Sequence, residues 1–306
     1  MSTILITGGT GLVGKALGQA LLAKGYKVII LTREKGKLSS TPNLSYANWN
    51  VGQQTIDKAS ISTADHIIHL AGAGVVEKRW TKKRRQEIIN SRVDSAKLIV
   101  DSLKNISNNV KTIVSASAIG WYGMDPVIPN PTPFKESDPP GNDFLGDVCR
   151  QWEASTDPVA QLGKRLVKLR IGIVVSKDGG AVKEFILPLR FGIAAILGNG
   201  KQIMSWIHID DLVKLFITAI ENENIHGVYN AVAPYPVSNK ELVLQLAKSR
   251  QRFYIPFRVP SFVLKLMLGE MSIEVLKSAT IGADKILNTG FIFDAPDIVT
   301  AFSLKK

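Results

Sequence analysis

Short apolar runs alternate with helix-like segments at the start of the chain. Ile4–Thr7 is a β-branched run that ends in glycines, and residues 11–24 then place apolar side chains three or four positions apart. This spacing is typical of an amphipathic helix, and the apolar run is typical of a buried strand. Val28–Thr32 is the next apolar run. The pattern therefore predicts a strand, a tight turn, a helix and a second parallel strand, joined as a right-handed βαβ unit.

The same alternation continues to about residue 231. Further strands are predicted at Ser45–Ala47, His66–Leu70, Thr112–Ser117, Arg165–Val175 and Gly227–Ala231, and helices at Lys82–Leu103 and Phe144–Leu162. Strands that alternate with helices form a parallel sheet that is covered by helices on both faces. We therefore predict an α/β fold with a Rossmann-like, doubly wound parallel sheet.

The chain divides into two predicted domains of unequal size. The alternation weakens from about Pro234, which predicts a small, mainly helical C-terminal lobe on the substrate side. The expected domains are residues 1–235 and residues 236–306. The Pro- and Asp-rich stretch Asp125–Asp143 has no period, so we expect a long loop there, near the carboxyl end of a strand where such sheets bind ligands.

A glycine-rich turn follows the first strand directly. Its sequence, TGGTGLVG, places Gly8, Gly11 and Gly14 three residues apart between a strand and a helix. Gly8 permits the sharp turn, Gly11 lets the backbone approach a pyrophosphate, and Gly14 lets the helix pack on the sheet. The free N–H groups at the start of the helix favour a bound phosphate. The candidate cofactor-binding residues here are Gly8, Thr10, Gly11, Leu12, Val13 and Gly14. The alternative interpretation is that the glycines serve only as a turn.

The end of the second strand bears on the choice of cofactor. A site that prefers NAD places an acidic residue there, against the ribose 2′-hydroxyl, whereas this chain has Arg33 and then Glu34. A guanidinium is suited to bidentate pairing with a 2′-phosphate. We therefore predict NADP as the cofactor, with Arg33 as its 2′-phosphate ligand; the alternative is an exposed surface arginine.

Composition excludes several other classes of protein. The 306 residues include one cysteine, Cys149, and no CxxC pair or clustered Cys/His spacing, so we expect no disulfide framework and no metal site. The N-terminus lacks the features of a signal peptide and the longer apolar stretches are broken by charges, so we expect a cytoplasmic protein with no membrane partner. The net charge of +12 is scattered except at residues 78–85, which predicts no nucleic-acid partner. That basic run is interpreted as a solvated helix start, and a site for a phosphate-rich ligand is the alternative.

Five motifs in order resemble the extended short-chain dehydrogenase/reductases. They are TGGTGLVG, HLAGAG at residues 69–74, SASAIGWYG at residues 115–123, RIGIVV at residues 170–175 and WIHIDDLV at residues 206–213. Trp80, Ser91-Arg92-Val93, Cys149, Trp152-Glu153 and the segment from about residue 250 to residue 304 narrow the resemblance to an atypical epimerase-like group with a distinctive small C-terminal domain. The resemblance covers essentially the whole chain. It implies an NADP-binding Rossmann domain and a substrate-side lobe, in a group whose own substrates are undefined.

The resemblance also implies further cofactor contacts. Leu70, Ala71 and Gly72 would line the adenine and ribose side, and Ile171, Gly172 and Ile173 would lead toward the nicotinamide. Each of these residues has an alternative interpretation as part of the core, because apolar residues in parallel strands are buried by default.

The chain departs from the family at the catalytic residues. Hydride-transferring relatives use a serine, a tyrosine and a lysine that lowers the pKa of the tyrosine and holds the nicotinamide ribose. An alignment on Trp152-Glu153 places Leu145 at the tyrosine position and Cys149 at the lysine position, and neither side chain can do this chemistry. Ser117 resembles the family serine and is the first catalytic candidate. Tyr122 is the second, as a replacement phenol, with an aromatic wall of the pocket as its alternative role; Asp143 and Asp147 are weaker acid/base candidates.

Two functional hypotheses remain open at this point. The first is an NADP-dependent oxidoreductase or epimerase that acts on a small, polar or nucleotide-linked substrate, with Ser117 polarising the substrate oxygen. The second is a non-catalytic NADP-binding protein, either a redox sensor or a partner-binding module, because the tyrosine and lysine are absent. The substrate and the oligomeric state do not follow from the sequence.

Overall fold

The computed structural model describes residues 1–34, 36–251 and 253–304. Its strands are β1 (Thr3–Thr7), β2 (Lys27–Thr32), β3 (Leu44–Asn50), β4 (Thr55–Ile56), β5 (His66–His69), β6 (Thr112–Ala118), β7 (Arg165–Ile171), β8 (Ile173–Val175), β9 (Ile193–Leu197), β10 (Ile203–Met204), β11 (Trp206–His208), β12 (Gly227–Ala231), β13 (Val237–Ser238) and β14 (Ile255–Val259). Its α-helices are α1 (Leu12–Ala23), α2 (Lys58–Thr63), α3 (Lys82–Asn105), α4 (Phe144–Thr156), α5 (Pro158–Gln161), α6 (Ala181–Leu189), α7 (Ile209–Glu221), α8 (Asn239–Ser249), α9 (Ser261–Leu268), α10 (Ser272–Leu276), α11 (Asp284–Leu287) and α12 (Ile298–Ser303). Single turns of 3-10 helix cover Ile119–Trp121 and Gly269–Met271.

Eight strands form one central sheet in the order β12-β7-β6-β5-β1-β2-β3-β4. All of its pairs are parallel except β3 with β4 at one edge. The chain order reverses at β1, because β2 lies on one side of this strand and β5 on the other. Sheets of this kind bind ligands at the carboxyl ends of the strands beside such a reversal. The predicted Rossmann-like, doubly wound α/β fold is confirmed.

Alternate residues of β1 face two different cores. Ile4 and Ile6 pack in one cluster with Leu17 of α1, whereas Leu5 packs in another with Ile99 of α3. Strands that are buried on both faces need an apolar residue at nearly every position. This explains why β1 reads as a continuous apolar run and shows no alternation.

The predicted strand over residues 165–175 is two strands. β7 ends in the central sheet, and β8 continues beyond Gly172 as the partner of β11. The Gly172 N–H donates to the carbonyl of Ala231 at 3.1 Å, and a Cβ at this position would lie 2.8 Å from the carbonyl oxygen of Ser205. Two backbones therefore approach a residue that has no side chain, and the chain changes sheets at that point.

The C-terminal lobe is mainly helical and carries small two-stranded sheets. β10 pairs with β13 and β9 pairs with β14, so strands from both sides of residues 235–236 are joined. The domain boundary at that position stays a prediction. The long loop after β6 is tied to this lobe, because the Asp125 carboxylate accepts hydrogen bonds from Ser278 and Thr280 at 2.8–2.9 Å. Within the described ranges no helix combines the length and the apolar character that crossing a membrane requires.

Candidate active site

The glycine-rich turn joins β1 to α1 at the carboxyl edge of the central sheet. Gly8 has a φ of +68°, and a Cβ at this residue would lie 2.9 Å from the carbonyl carbon of Leu70. A Cβ at Gly14 would lie 2.4 Å from the carbonyl oxygen of Gly8. The Gly11 N–H donates to the same oxygen at 3.0 Å and closes the turn. Close approach of backbone to backbone therefore requires glycine at both Gly8 and Gly14.

The start of α1 is open. Thr10 and Gly11 are exposed, Leu12 and Val13 are half-buried, and no side chain caps the helix. Apart from its chain neighbours, a Cβ at Gly11 would meet only the Gly8 oxygen within 4 Å, at 3.4 Å. The first N–H groups of a helix have no partner within that helix, and the helix dipole favours negative charge there. The turn thus offers a preformed site for an anionic group.

Arg33 lies beside this turn. It follows β2, which pairs with β1 in parallel register, so both elements end at the same edge of the sheet. Its side chain is exposed and makes no hydrogen bond or ion pair with the part of the chain that the structure describes. Glu34, by contrast, pairs with Lys37 at 2.8 Å. The guanidinium is therefore available to a ligand, and the neighbouring carboxylate is engaged elsewhere.

Leu70, Ala71 and Gly72 form the loop after β5. The Thr7 Oγ1 accepts the N–H groups of Leu70 at 3.1 Å and Ala71 at 3.2 Å, and it lies 2.8 Å from Nδ1 of His69. Because this oxygen already accepts two N–H groups, its proton points at Nδ1, which requires a neutral imidazole. Burial lowers the pKa of His69 to about 4, so the ring is neutral at physiological pH. A buried hydrogen-bond pair thus holds this loop against the glycine-rich turn.

Ser117 lies near the end of β6 and is buried. Its hydroxyl donates to Oε1 of Glu153, on α4, at 2.7 Å. The same carboxylate accepts Nε of Arg170 at 2.8 Å on Oε1 and Nη2 at 3.1 Å on Oε2. The serine is therefore one member of a buried ion-pair network that joins β6, α4 and β7. Its catalytic role stays a prediction, and in this arrangement its proton is directed at Glu153.

Tyr122 is also buried, with none of its surface exposed. Its hydroxyl accepts from Nη1 of Arg170 at 2.9 Å and donates to Oδ1 of Asn230 at 2.7 Å, and its ring stacks on Phe134 at a centroid distance of 5.3 Å. Burial raises the pKa of the phenol to about 12. The side chain extends the network of Arg170 to β12, and its predicted catalytic role stays untested.

The family positions for tyrosine and lysine lie on α4. Leu145 is half-buried and its Cβ lies 3.1 Å from where a Cβ of Gly120 would stand. Cys149 is buried, and its thiol donates to the Ala118 carbonyl at 3.6 Å. Burial, with the nearby Glu153 carboxylate, raises the pKa of this thiol to about 12, so it is neither a cation nor a nucleophile at neutral pH. Leu145 and Cys149 thus form an apolar wall beside the end of β6.

Ile171 and Gly172 lie where the chain leaves the central sheet. Ile171 pairs with Ala118 and Ala231 in the neighbouring strands, so it stands at the same edge as the end of β6. The segment after β8 then turns back over the start of α1, because a Cβ at Gly180 would lie 3.2 Å from the Leu12 side chain. The structure thus brings residues 171–172 to the same sheet edge as the glycine-rich turn.

Sequence reasoning missed Glu153, Arg170 and Asn230 as parts of this site. One signal was present: Arg170 is a charged residue in the otherwise largely apolar run of β7, and buried charges are paired in native proteins. Its guanidinium also lies 3.8 Å from the ring centroid of Trp121. The partners of Arg170 come from elements that the sequence does not connect.

A groove of about 1110 Å³ lies on the other side of α1, between this helix and α7. It reaches the glycine-rich turn only at Leu12, and its lining includes the Lys24 and Glu221 side chains, which pair at 3.1 Å. Its lining also includes Ser176, Lys177 and Asp178 of the segment after β8, so the groove reaches the start of α1 from the side of α7.

Comparison with protein families gives two matches. Residues 4–144 match the NAD dependent epimerase/dehydratase family, and residues 259–303 match a domain of unknown function, DUF1731. The Epimerase family protein of Staphylococcus saprophyticus is 36% identical over 301 residues, which cover 98% of this chain and 98% of that protein. The Epimerase family protein of Staphylococcus haemolyticus is 35% identical over 302 residues, 99% of this chain and 98% of that protein.

Solved structures show the same likeness. The human epimerase family protein SDR39U1 (isoform 2), solved with NADPH, is 28% identical, with a TM-score of 0.84 over 98% of this chain and 97% of that chain. The nucleoside-diphosphate sugar epimerase of Corynebacterium glutamicum is 30% identical, with a TM-score of 0.77 over 99% of this chain and 57% of that chain. MoeE5 in complex with UDP-glucuronic acid and NAD, at 19% identity and a TM-score of 0.79, shares the fold. The chain therefore belongs to the epimerase family of extended short-chain dehydrogenase/reductases, and its C-terminal segment matches DUF1731.

Proposed function

We propose that this protein is an NADP-dependent oxidoreductase or epimerase that acts on a small polar or nucleotide-linked substrate. The observation that carries the proposal is the open start of α1 beside the exposed Arg33, because together they offer two anion sites at one sheet edge. The NADPH in the human relative supports the same cofactor. The single buried cysteine is in keeping with a reducing, cytoplasmic setting.

The residues present fit a dinucleotide. Gly11 is exposed at the uncapped helix start, where a pyrophosphate would receive the first N–H groups of α1. Arg33 would pair with the 2′-phosphate, and Leu70, Ala71 and Gly72 would border the adenosine half. When bound, the nicotinamide would accept or supply a hydride.

The wall beside the end of β6 would then exclude water from the reacting centre. Leu145 and Cys149 replace the tyrosine and lysine of hydride-transferring relatives, so the chain supplies no phenol or ammonium at those positions. Ser117 remains the first candidate for polarising a substrate oxygen and Tyr122 the second. Either hydroxyl would have to exchange its partner in the network, Glu153 or Asn230, for the substrate.

The basic run at residues 78–85 supports a small-molecule partner in place of nucleic acid. Arg84 is buried and donates to the Gly74 carbonyl, and its Nη1 pairs with Glu87 at 2.9 Å. Arg85 pairs with Glu270 in the C-terminal lobe. These side chains thus serve contacts within the chain, which supports the interpretation of the run as a helix start.

Calorimetric titration with NADPH and NADH tests the cofactor assignment. We expect tighter binding of NADPH, and Arg33→Ala should weaken it by about 1.5–3 kcal/mol with little effect on NADH, because a charge-assisted pair with the 2′-phosphate is lost. Lys37→Ala, a nearby cation that pairs with Glu34, is the matched control and should leave the preference in place. Equal affinities for the two nucleotides in the unmodified protein would remove the NADP assignment.

A second candidate function is a non-catalytic NADP-binding redox sensor. The observation that favours it is the apolar pair Leu145 and Cys149 on α4. A screen of carbonyl compounds and nucleotide sugars for a change in NADPH absorbance separates the two functions. Turnover of any substrate supports the enzyme, whereas nucleotide-dependent partner binding without turnover supports the sensor.

A further inference from the structure

The two-stranded sheet of β9 and β14 has an apolar face that is partly exposed. Ala194 and Ile196 of β9 are buried, so Ile193, Ala195 and Leu197 point to the opposite side. In the parallel pair their register partners on β14 are Ile255, Phe257 and Val259. Ile255 is 59% exposed and Phe257 is 56% exposed. On this apolar sheet face Ile193, Ile255 and Phe257 are exposed, whereas Ala195, Leu197 and Val259 are half-buried.

The neighbouring segments extend this apolar surface. Phe191 and Phe253, two residues before β9 and β14, are 81% and 83% exposed. α9 follows β14 after one residue, and its Phe262 and Leu266 stand one helical turn apart with 71% and 78% of their surface exposed. We call the outer face of β9 and β14, these two phenylalanines and the exposed residues of α9 the apolar face. Monomeric proteins rarely expose so many large apolar side chains together.

The charged residues nearest the apolar face are mostly cations. Residues 185–209 and residues 242–269 contain no Asp or Glu. Arg190, Arg250, Arg258 and Lys265 are exposed within these two segments. Arg79, also exposed, donates its Nε to the Met267 carbonyl at 2.8 Å at the end of α9. Cations therefore predominate around the apolar face. Arg258 shares the side of Ile196 and lies behind this face, and the exposed Glu270, directly after α9, pairs with Arg85.

We propose that the apolar face docks on an anionic lipid surface. Exposed aromatic and aliphatic side chains among Lys and Arg are the composition of elements that lie in the membrane interface, where the apolar groups enter the headgroup boundary and the cations meet acidic lipids. A second copy of the chain fits less well, because two such faces in contact would bring their cations together. The sequence predicted no membrane partner because it shows no signal peptide and no apolar stretch long enough to span a bilayer. Docking on the surface needs neither.

Vesicle co-sedimentation with the full-length protein tests the proposal. We expect binding to vesicles of phosphatidylcholine with about 30% phosphatidylglycerol, and weak binding to pure phosphatidylcholine. Raising NaCl from about 0.05 M to about 0.5 M should weaken binding several-fold, because salt screens the cations. Phe257→Ser with Phe262→Ser should raise the apparent Kd at least about tenfold. Ile292→Ser, at another exposed apolar position, should leave the Kd unchanged.

A charge-matched pair isolates the electrostatic part. Lys265→Glu, in α9, should weaken binding roughly tenfold, whereas Lys58→Glu, at an exposed position of α2, makes the same change in net charge and should have little effect. Equal effects of the two variants would mean that net charge alone attracts the protein to the vesicle, which overturns the assigned face.

Site-directed fluorescence tests insertion itself. Cys149 is buried and un-ionised at neutral pH, so a single introduced cysteine can be labelled selectively. An environment-sensitive dye at Phe257→Cys should shift to the blue with anionic vesicles, and the same dye at Ile292→Cys should not. A dimer in solution that Phe257→Ser dissociates, together with no vesicle binding, would assign the apolar face to a second copy and overturn the proposal.

Discussion

Polar groups are exposed beside the end of β1 and buried beside the end of β6. After β1, the start of α1 is uncapped, and Arg33, which follows the neighbouring β2, is exposed without a partner among the described residues. At the end of β6, Ser117 and Tyr122 are buried and each hydroxyl is bonded to another side chain. The first region is a preformed site that can bind a charged ligand without rearrangement. The second is a rigid support, whose polar groups are already satisfied.

The two regions also differ in the solvation of their polar groups. The open groups of β1 contact water in the free protein, so a ligand needs only to replace that water. The groups at β6 have left water, and each one depends on its partners to offset the loss of solvation. Substitutions at β1 should therefore act on binding, and substitutions at β6 should act first on stability.

The largest effect is expected from Arg170→Met. This change leaves the Glu153 carboxylate buried without its ion-pair partner, and should lower the free energy of unfolding by about 3–5 kcal/mol. Urea denaturation measures it. Arg150→Met removes an exposed ion pair with Asp147 from the same helix and should cost no more than about 1 kcal/mol. Similar values for the two variants would contradict the picture of β6 as a buried support.

Gly11→Val should act on the other region. A branched side chain at this exposed position would block the approach of a pyrophosphate to the start of α1, so NADPH affinity should fall by about 100-fold while the fold remains intact. Fluorescence titration and circular dichroism give the two readouts. Gly18→Ala is the control, because a Cβ there would meet no described atom within 4 Å outside the backbone of its own helix. It should raise the free energy of unfolding by about 0.5–1 kcal/mol and leave the NADPH affinity unchanged. If folded Gly11→Val protein binds NADPH with full affinity, the glycine-rich turn has only a structural role.

The pH dependence of stability probes the contact between β1 and β5. The pKa of His69 is lowered from 6.5 to about 4 by burial, so the unfolded chain binds a proton in this window that the folded protein does not. Stability from this group is therefore full above about pH 6.5 and is lost as the pH falls toward about pH 4. Between about pH 7 and about pH 5 the loss should be about 2 kcal/mol. His69→Gln should flatten this part of the profile, and His226→Gln, at an exposed position, should leave it unchanged.

The sequence was sufficient for the β1 region because its requirements are local. Gly8 and Gly14 lie within seven residues of one another, and the need for glycine at both follows from backbone sterics that a strand–turn–helix pattern already implies. The position of Arg33 beside the turn was predictable for the same reason, since it directly follows β2; its role as a 2′-phosphate ligand stays a prediction. The apolar runs of the central strands β1 and β5 likewise follow from burial on two faces.

The β6 region could not be predicted in the same way. Ser117 is 36 positions from Glu153 and 53 from Arg170, and the pairing depends on the register of β6 with β7 and on the face of α4. The strand pair β9 and β14 joins segments separated by about sixty residues, and the short apolar run of β9 carries no signal of its distant partner. Propensity and spacing describe neighbours along the chain, whereas these contacts are set by packing.

The smallest effects on stability are expected from Ser117→Ala and Tyr122→Phe, and they decide where the chemistry lies. Each removes one hydroxyl from a network that retains its ion pair, so the free energy of unfolding should fall by about 1–2 kcal/mol, with NADPH affinity unchanged. Once a substrate is found, Ser117→Ala should also lower kcat sharply, because a hydroxyl that polarises a substrate oxygen acts mainly in the transition state. Tyr122→Phe keeps the ring stacked on Phe134 and removes only the hydroxyl. A loss of kcat in this variant would assign a proton-transfer role to the hydroxyl, whereas full activity would mean that the ring serves only as an aromatic wall of the pocket. If both variants keep full turnover at a temperature where both are folded, neither hydroxyl takes part in the reaction, and Asp143 and Asp147 become the next side chains to replace.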